Sequence, residues 1–266
     1  MVYNCINLHF TDNCNYSCKH CFVKKENNEL SMDELMVVVD KVKRYFDSNH
    51  IKGRINIAGG EPLVSKNIDH LISYIASKGI QVSIITNGYL LDESFIQRHN
   101  NHLYSIGLSV DSMDYDTNIR IGRCCKSNVL TKDKILHLSK IIKEAGILLK
   151  INICVSKLNV NENFNELIHA IQPDRLKVFE MLCNDKSQEV NCATKSDIQS
   201  FLERLNYNYI YESAESMKES YIIIDSKGNL STNNLHLNGA SILCHEISDI
   251  ISTLNVDDEN YVKRYI

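Results

Sequence analysis

The sequence predicts an α/β protein: a partial (β/α)6 barrel whose open side is covered by a C-terminal extension. Three observations lead there. Short apolar strand patterns alternate with amphipathic helix patterns about six times, which argues for a parallel sheet joined by helical crossovers. Six such units are too few for a closed eight-fold barrel. The strands also carry polar or charged residues on one face, whereas strands buried on both sides of a parallel sheet read as continuous apolar runs.

Taken in order, Ile6 to Phe10 reads as a strand followed by a cysteine-rich loop. Ser31-Met32-Asp33-Glu34 is a capping box. It opens a helix with Leu35, Val39, Val42 and Phe46 at helical spacing. Arg54 to Ala58 is a strand ending in Gly59-Gly60-Glu61-Pro62, and Ile68 to Ser77 is a helix closed by Gly79. Gln81 to Thr86 is a strand running into the turn dipeptide Asn87-Gly88. Phe95 lies in a short helix, Ser105 to Val110 is a strand, and Lys132 to Glu144 is a helix ended by Gly146. Ile147 to Val155, Glu162 to Ala170 and Leu176 to Met181 continue as strand, helix and strand. These units are expected to form a barrel domain over 1–182, with an extension over 183–266. In the extension Ser196 to Leu205 is helical, and Tyr221 to Asp225 with Asn229 to Thr232 reads as a hairpin about Ser226-Lys227-Gly228. From Asn238 onward the pattern is weak.

Composition narrows the function. The 266 residues are 44% apolar with net charge −4, so no global basic field draws nucleic acid. No apolar run approaches the roughly 18 residues of a membrane span. The first ten residues lack the basic start and long apolar core of a signal peptide. The ten cysteines are therefore expected to be reduced thiols in a cytoplasm. A monomer is the default expectation.

Alternation along the strands places Asn7 and His9, Arg54 and Asn56, Ser105, Gly107, Ser109 and Asp111, Lys150 and Asn152, and Arg175 and Lys177 on the face away from the helices. In a barrel that face is the lumen. Burying an unpaired ammonium or guanidinium costs several kcal/mol, so Arg54, Lys150, Arg175 and Lys177 together call for an anion. A polyphosphate fits four cations better than a lone carboxylate does. The plainer alternative is an antiparallel sheet with a solvated charged face, which the intervening helices oppose.

Cys14, Cys18 and Cys21 stand at C-x3-C-x2-C after the first strand. The loop is expected to turn the three sulfurs toward one soft metal site and leave a coordination position open. His20, between two of them, is not expected to reach the same ion. A zinc knuckle or three buried cysteines are the alternatives.

The cysteine spacing, with Gly59-Gly60-Glu61-Pro62 after the next strand, resembles the radical S-adenosylmethionine superfamily. His9-Phe10-Thr11, Asp111-Ser112-Met113-Asp114, Ile121-Gly122-Arg123, Lys150-Ile151-Asn152, Arg175-Leu176-Lys177-Val178-Phe179 and Ser220 to Asp225 resemble its viperin family, over Leu8 to Asn229. The resemblance implies a 4Fe-4S cluster on Cys14, Cys18 and Cys21. It implies S-adenosyl-L-methionine held by Gly59, Gly60, Glu61, Thr86, Asn87, Ser109 and Asp111. It implies a nucleoside triphosphate held by Arg54, Arg123, Lys150, Arg175 and Lys177, with Asn56 and Asn152 beside it and Tyr221 near the ribose as proton or electron donor. Each of these has a plainer reading: Asn87 as a turn residue, Asp111 as a helix cap, Tyr221 as hairpin packing.

The implied reaction is conversion of the nucleotide, CTP by family default or else GTP or UTP, to its 3′-deoxy-3′,4′-didehydro form in antiviral defence. A flavodoxin- or ferredoxin-type protein would donate electrons. Three departures stand out. Ala58 replaces a serine, Cys124 replaces a glycine after Ile-Gly-Arg, and the sequence stops at Ile266, where eukaryotic relatives continue into a lid. A peptide-modifying radical enzyme and a non-catalytic antiviral binding protein are the rivals. Cys5, Cys124, Cys125, Cys154, Cys183, Cys192 and Cys244 show no ligand spacing and read as free structural cysteines, against the extra clusters of a peptide modifier.

Overall fold

The computed structural model describes residues 1–183, 189–232 and 239–265; Asn238 and Ile266, named above, lie outside them. The strands are β1 Cys5–Thr11, β2 Arg54–Gly59, β3 Gln81–Thr86, β4 Leu103–Ser109, the small pair β5 Cys124–Cys125 and β6 Asn128–Val129, then β7 Leu148–Val155, β8 Arg175–Glu180, β9 Ile210–Glu212, β10 Ile223–Ile224, β11 Asn229–Ser231 and β12 Ala240–Ser241. The helices are α1 Met32–Ser48, α2 Ile68–Ser77, α3 Glu93–His99, α4 Tyr115–Ile121, α5 Lys132–Glu144, α6 Asn165–Ile171, α7 Lys195–Arg204, α8 Ala214–Met217, α9 Ile247–Thr253 and α10 Asp258–Tyr265.

One sheet runs in the order β12-β11-β10-β1-β2-β3-β4-β7-β8-β9. From β10 to β9 every pairing is parallel. The expected six strands are there, and the extension adds a parallel strand at either edge. Each addition is only two or three residues long, too short for alternation to show. Strand β9 is an edge of the sheet and does not pair with β10, which is held between β1 and β11, so the barrel is left with an open seam where β9 approaches the start of β10 through Glu212 and Tyr221. Beyond β10, β11 and β12 pair antiparallel, the first of them closing the expected hairpin.

Alternation sorts the faces as predicted. Ile6, Leu8, Phe10, Ile55, Ile57, Ile106, Leu108, Leu149, Ile151, Ile153, Leu176 and Val178 are all 1% exposed or less, packed with the helices in one core. Each such burial stabilises by roughly 1.5–3 kcal/mol before entropy is set against it. The capping box at Ser31 is formed, with Glu34 N donating to Ser31 Oγ and Ser31 N to Glu34 Oε2 at 2.8 Å.

Three features depart from expectation. Helix α4 is additional, capped by Asp114, which accepts from Thr117 N at 2.7 Å, and closed by Gly122 in the left-handed region. Cys183 and Cys192 are joined as a disulfide and are not free thiols, their Cα atoms 6.4 Å apart. The sequence from 239 onward, weak in pattern, forms β12, α9 and α10. Helix α10 docks under the barrel: Tyr261 Oη accepts from Cys5 N at 2.8 Å and donates to Cys5 O, at the start of β1. Among the described residues no helix is long and apolar enough to cross a membrane.

Candidate functional site

The cysteine loop leaves the carboxyl end of β1 and is pinned on two sides. Ser17 N and Lys19 N donate to Gly122 O and Ile121 O at the end of α4, and the Lys25 ammonium donates to Tyr16 O. A Cβ on Gly122 would fall 2.2 Å from Ser17 O, so the close approach requires glycine. Gly60 N and Glu61 N, after β2, donate to Thr11 O and Asn13 O at 2.8 Å. A Cβ on Gly60 would lie 2.1 Å from Asn13 O, and one on Gly59 2.7 Å from Thr11 O. The paired glycines thus let two backbones meet beneath the cysteines.

The three sulfurs do not crowd round one point: among the described residues no three Cys, His, Asp or Glu side chains converge as ligands of a single ion. An iron–sulfur cluster spreads its thiolate ligands over separate irons, and this donor set suits it. Two of the sulfurs already receive donors that favour thiolate, Cys14 Sγ from Tyr16 N at 3.4 Å and Cys18 Sγ from Arg123 Nη1 at 3.5 Å. Burial pushes the Cys14 and Cys21 thiols up, so protons leave as metal enters. His20 is turned away, its Nε2 3.1 Å from Asp111 Oδ2.

Asp111 is the charge centre of this upper site. It is 2% exposed, and its Oδ2 lies 3.1 Å from His20 Nε2 and 3.0 Å from Arg123 Nε, close enough to pair as charges. Its Oδ1 accepts from Cys154 N at 2.8 Å. Burial works to raise its pKa, but Arg123 and His20 prevail and hold it below the usual carboxylate range. Glu61 is also buried, and burial raises its pKa. Its Oε1 accepts from Thr86 Oγ1 and Leu63 N, and its Oε2 from Asn87 N, so Glu61 and Thr86 spend their side chains on each other. Asn87 Nδ2 reaches Asn15 Oδ1 at 2.7 Å. A narrow cleft lined by Tyr16, Asn87, Ser109, Asp111 and Arg123 lies among them. Tyr16 Oη and Asn15 Nδ2 are buried there without partners. Orphaned polar groups beside three thiols fit a polar cofactor.

The lower lumen gathers the other predicted residues. Asn56 Nδ2 donates to Asn7 Oδ1 at 2.8 Å, and Asn7 Nδ2 donates to Tyr265 Oη at 3.0 Å. Arg54 stands 5.5 Å from the Tyr104 ring and 6.0 Å from that of Tyr265. Arg175 donates to Arg264 O, and Lys177 lies 5.9 Å from the Tyr265 ring. Asn152 Oδ1 is buried without a partner. The Lys150 ammonium makes no hydrogen bond or ion pair among the described residues. Burial, reinforced by Lys177 and Arg175, drives its pKa far down. Arg123 does not join these cations; it stands in the upper site with Asp111 and Cys18.

Sequence reasoning missed the partner of this group. Glu212, the last residue of β9, is 3% exposed and accepts from Lys177, from Tyr221 Oη and from Arg264 Nε, the last at 2.8 Å. Burial opposes its ionisation, but Lys177 and Arg264 hold its pKa down to about 2. Burial lowers Lys177 only to about 8, because Glu212 opposes the fall. Burial and Glu212 together push Tyr221 well up. A surface hollow of about 630 Å³ between Pro173 and Asn208 gathers none of the predicted site residues.

Comparison with known proteins agrees with this geometry. Residues 8–171 match the Radical SAM superfamily. An S-adenosylmethionine-dependent nucleotide dehydratase of Psychrobacter lutiphocae is 31% identical, over 98% of this chain and 94% of its own. The S-adenosylmethionine-dependent nucleotide dehydratase RSAD2 of Oncorhynchus mykiss is 30% identical, over 83% of this chain and 66% of its own. In fold, Streptococcus suis SuiB bound to S-adenosylmethionine superposes with a TM-score of 0.72 at 17% identity, over 99% of this chain and 68% of that one. The superfamily works with a 4Fe-4S cluster and S-adenosylmethionine, and the residues of the upper site fit both. The chain belongs to the radical S-adenosylmethionine superfamily and, within it, to the nucleotide dehydratases.

Proposed function

We propose that this enzyme takes a nucleoside triphosphate with its phosphates in the lower lumen and its ribose beneath the cluster, and converts it to the 3′-deoxy-3′,4′-didehydro nucleotide. The observation that carries the reading is the convergence of Arg54, Lys150, Arg175 and Lys177 in one half-buried space, with Lys150 left unpaired. A triphosphate supplies the missing negative charge and favours the charged form of Lys150. Asn56 and the orphaned carbonyl of Asn152 suit sugar hydroxyls.

When bound, the cluster and S-adenosylmethionine supply a 5′-deoxyadenosyl radical able to take the 4′ hydrogen atom. Cys14, Cys18 and Cys21 hold the cluster. Asp111, Ser109, Asn87, the paired Gly59 and Gly60 and the Glu61–Thr86 brace shape the pocket for S-adenosylmethionine, and Arg123 serves this upper side. The 3′ hydroxyl then leaves with one proton as water, and one electron from the external carrier closes the product's shell. Tyr221, hydrogen-bonded to Glu212, is the candidate proton source. CTP is the leading substrate, with GTP and UTP next. A chain-terminating nucleotide would serve antiviral defence, and a flavodoxin- or ferredoxin-type protein would deliver electrons to a cytoplasmic monomer.

The test is anaerobic incubation of cluster-loaded protein with S-adenosylmethionine, dithionite and an equimolar mixture of the four triphosphates, followed by mass spectrometry. One nucleotide lighter by a water is expected. No such product from any of the four rejects the reading. The likeness to SuiB supports the fold alone, and iron equivalent to a second cluster would favour the peptide-modifying rival. Antiviral protection retained by Cys18→Ala would favour the non-catalytic one.

A further inference from the structure

We propose that Glu212 is a positioning residue for the phosphate tail: it stitches the open seam of the barrel and keeps Lys177 charged and aimed into the lumen. This deepens the triphosphate reading and rests on it.

The seam lies between β9, which ends at Glu212, and β10, which begins two residues after Tyr221. No backbone ladder joins β9, an edge of the sheet, to β10, which pairs with β1 and β11 instead. The carboxylate of Glu212 bridges β9 and β10, bonding Lys177 from β8, Tyr221 from across the seam and Arg264 from α10. Arg264 is itself locked: its Nη1 donates to Ser220 O and Oγ at 2.6 Å, its Nη2 to Ser216 O, and its guanidinium lies 3.8 Å from the Tyr221 ring centre. Removing that frame would leave Lys177 free to swing in an open slot.

Lys150 and Lys177 form an internal control. They sit on adjacent strands, with Asn152 opposite Lys177 and Lys150 opposite Arg175. Among the described residues Lys150 has no carboxylate bonded to it, and burial with its cationic neighbours lowers its pKa well below the ordinary lysine range; Lys177, bound to Glu212, falls only to about 8. The groups facing Lys177 are Glu212 on β9, Arg175 on β8, Lys150 on β7, Tyr221 beside β10, and Arg264 and Tyr265 on α10. Of these only Glu212 brings a negative charge at neutral pH, so its loss has no replacement nearby.

The test is calorimetric titration of the cluster-loaded protein with inorganic tripolyphosphate from pH 6 to 9, comparing wild type with Glu212→Gln. This probe needs no dehydration chemistry, so it stands apart from success or failure of the nucleotide assay. The ratio of the two affinities cancels the titration of the ligand. Lys177 binds phosphate best when protonated, and without Glu212 it loses its proton at lower pH. Glu212→Gln is therefore expected to bind about tenfold more weakly at pH 8.5, per unit by which the Lys177 pKa falls. The deficit should close as pH drops to 6. A deficit equal at every pH marks a merely structural role and overturns the proposal. Tighter binding at every pH overturns it too, because Glu212 would then only compete with the ligand. Should Glu212→Gln not fold, Lys177→Met is compared with wild type in the same way. A ratio that does not change across pH 8 shows that Lys177 does not titrate there, and overturns the proposal equally.

Discussion

At the mouth of the barrel each buried carboxylate has protein partners: Asp111 lies against Arg123 and His20, and Glu61 accepts three hydrogen bonds from neutral donors. In the lower lumen, among the described residues, only Lys177 of the four predicted cations bonds a carboxylate; Arg54, Arg175 and Lys150 bond none. The first arrangement partners its carboxylates within the protein, leaves neutral polar groups such as Tyr16 Oη orphaned, and suits a polar cofactor of balanced charge. The second is electrostatically incomplete and has its balance only with a polyanion in place. The same strands build both ends, so the difference lies in which residues alternate onto the inner face.

Breaking the upper site should have the largest effect. Cys18→Ala is expected to drop iron content and 5′-deoxyadenosine formation to background while far-ultraviolet circular dichroism stays unchanged, since the half-exposed thiol is no part of the core. Full activity in that variant would separate the cysteines from the chemistry.

Next comes the single carboxylate below. The folded pKa of Glu212 lies near 2, under its ordinary 4.5. A depressed pKa stabilises the fold above the unfolded value, and that contribution is lost as pH falls through the folded one. Between about pH 4.5 and 2 the wild type should lose on the order of 2–3 kcal/mol through this group. Denaturant melts of Glu212→Gln should lack that part of the acid slope; identical slopes would place Glu212 outside the ion network.

Two glycines sharpen the comparison further. Gly60→Ala drives a methyl into Asn13 O and should cost about 1–3 kcal/mol. Gly79→Ala meets no atom within 4 Å but keeps a φ of +70°, and should cost about 1 kcal/mol. Thermal melts with and without the cluster measure both. Equal losses in the two variants would mean that the meeting of the two backbones beneath the cysteines is looser than described.

Much of this was legible in the sequence. Strand β3 and helices α2 and α5 fall where periodicity, Gly79 and Gly146 put them, because their signals are local. The four lumen cations were readable from a period of two along β2, β7 and β8. Helix α4 was readable as well, through Asp114 before it and Gly122 after it, but its seven residues carry little apolar pattern. What stayed hidden is long-range. Glu212 meets Lys177 across 35 positions and Arg264 across 52, and no local pattern links a three-residue strand to the last turn of the chain. Arg123 was grouped with the phosphate ligands through the family resemblance, whereas here its partner Asp111 draws it to the cysteines. The disulfide of Cys183 and Cys192 was equally unreadable, since spacing does not reveal pairing.

The central claim is that the lower lumen is built for a chain of phosphates. The direct measurement is the affinity of the cluster-loaded enzyme for one nucleoside and its mono-, di- and triphosphates, in wild type and in Lys150→Met. The account predicts that wild-type affinity rises with each phosphate, and that Lys150→Met loses about 1.5–3 kcal/mol on the triphosphate and little on the nucleoside. Equal affinity for all four, or an equal loss on each, would contradict it.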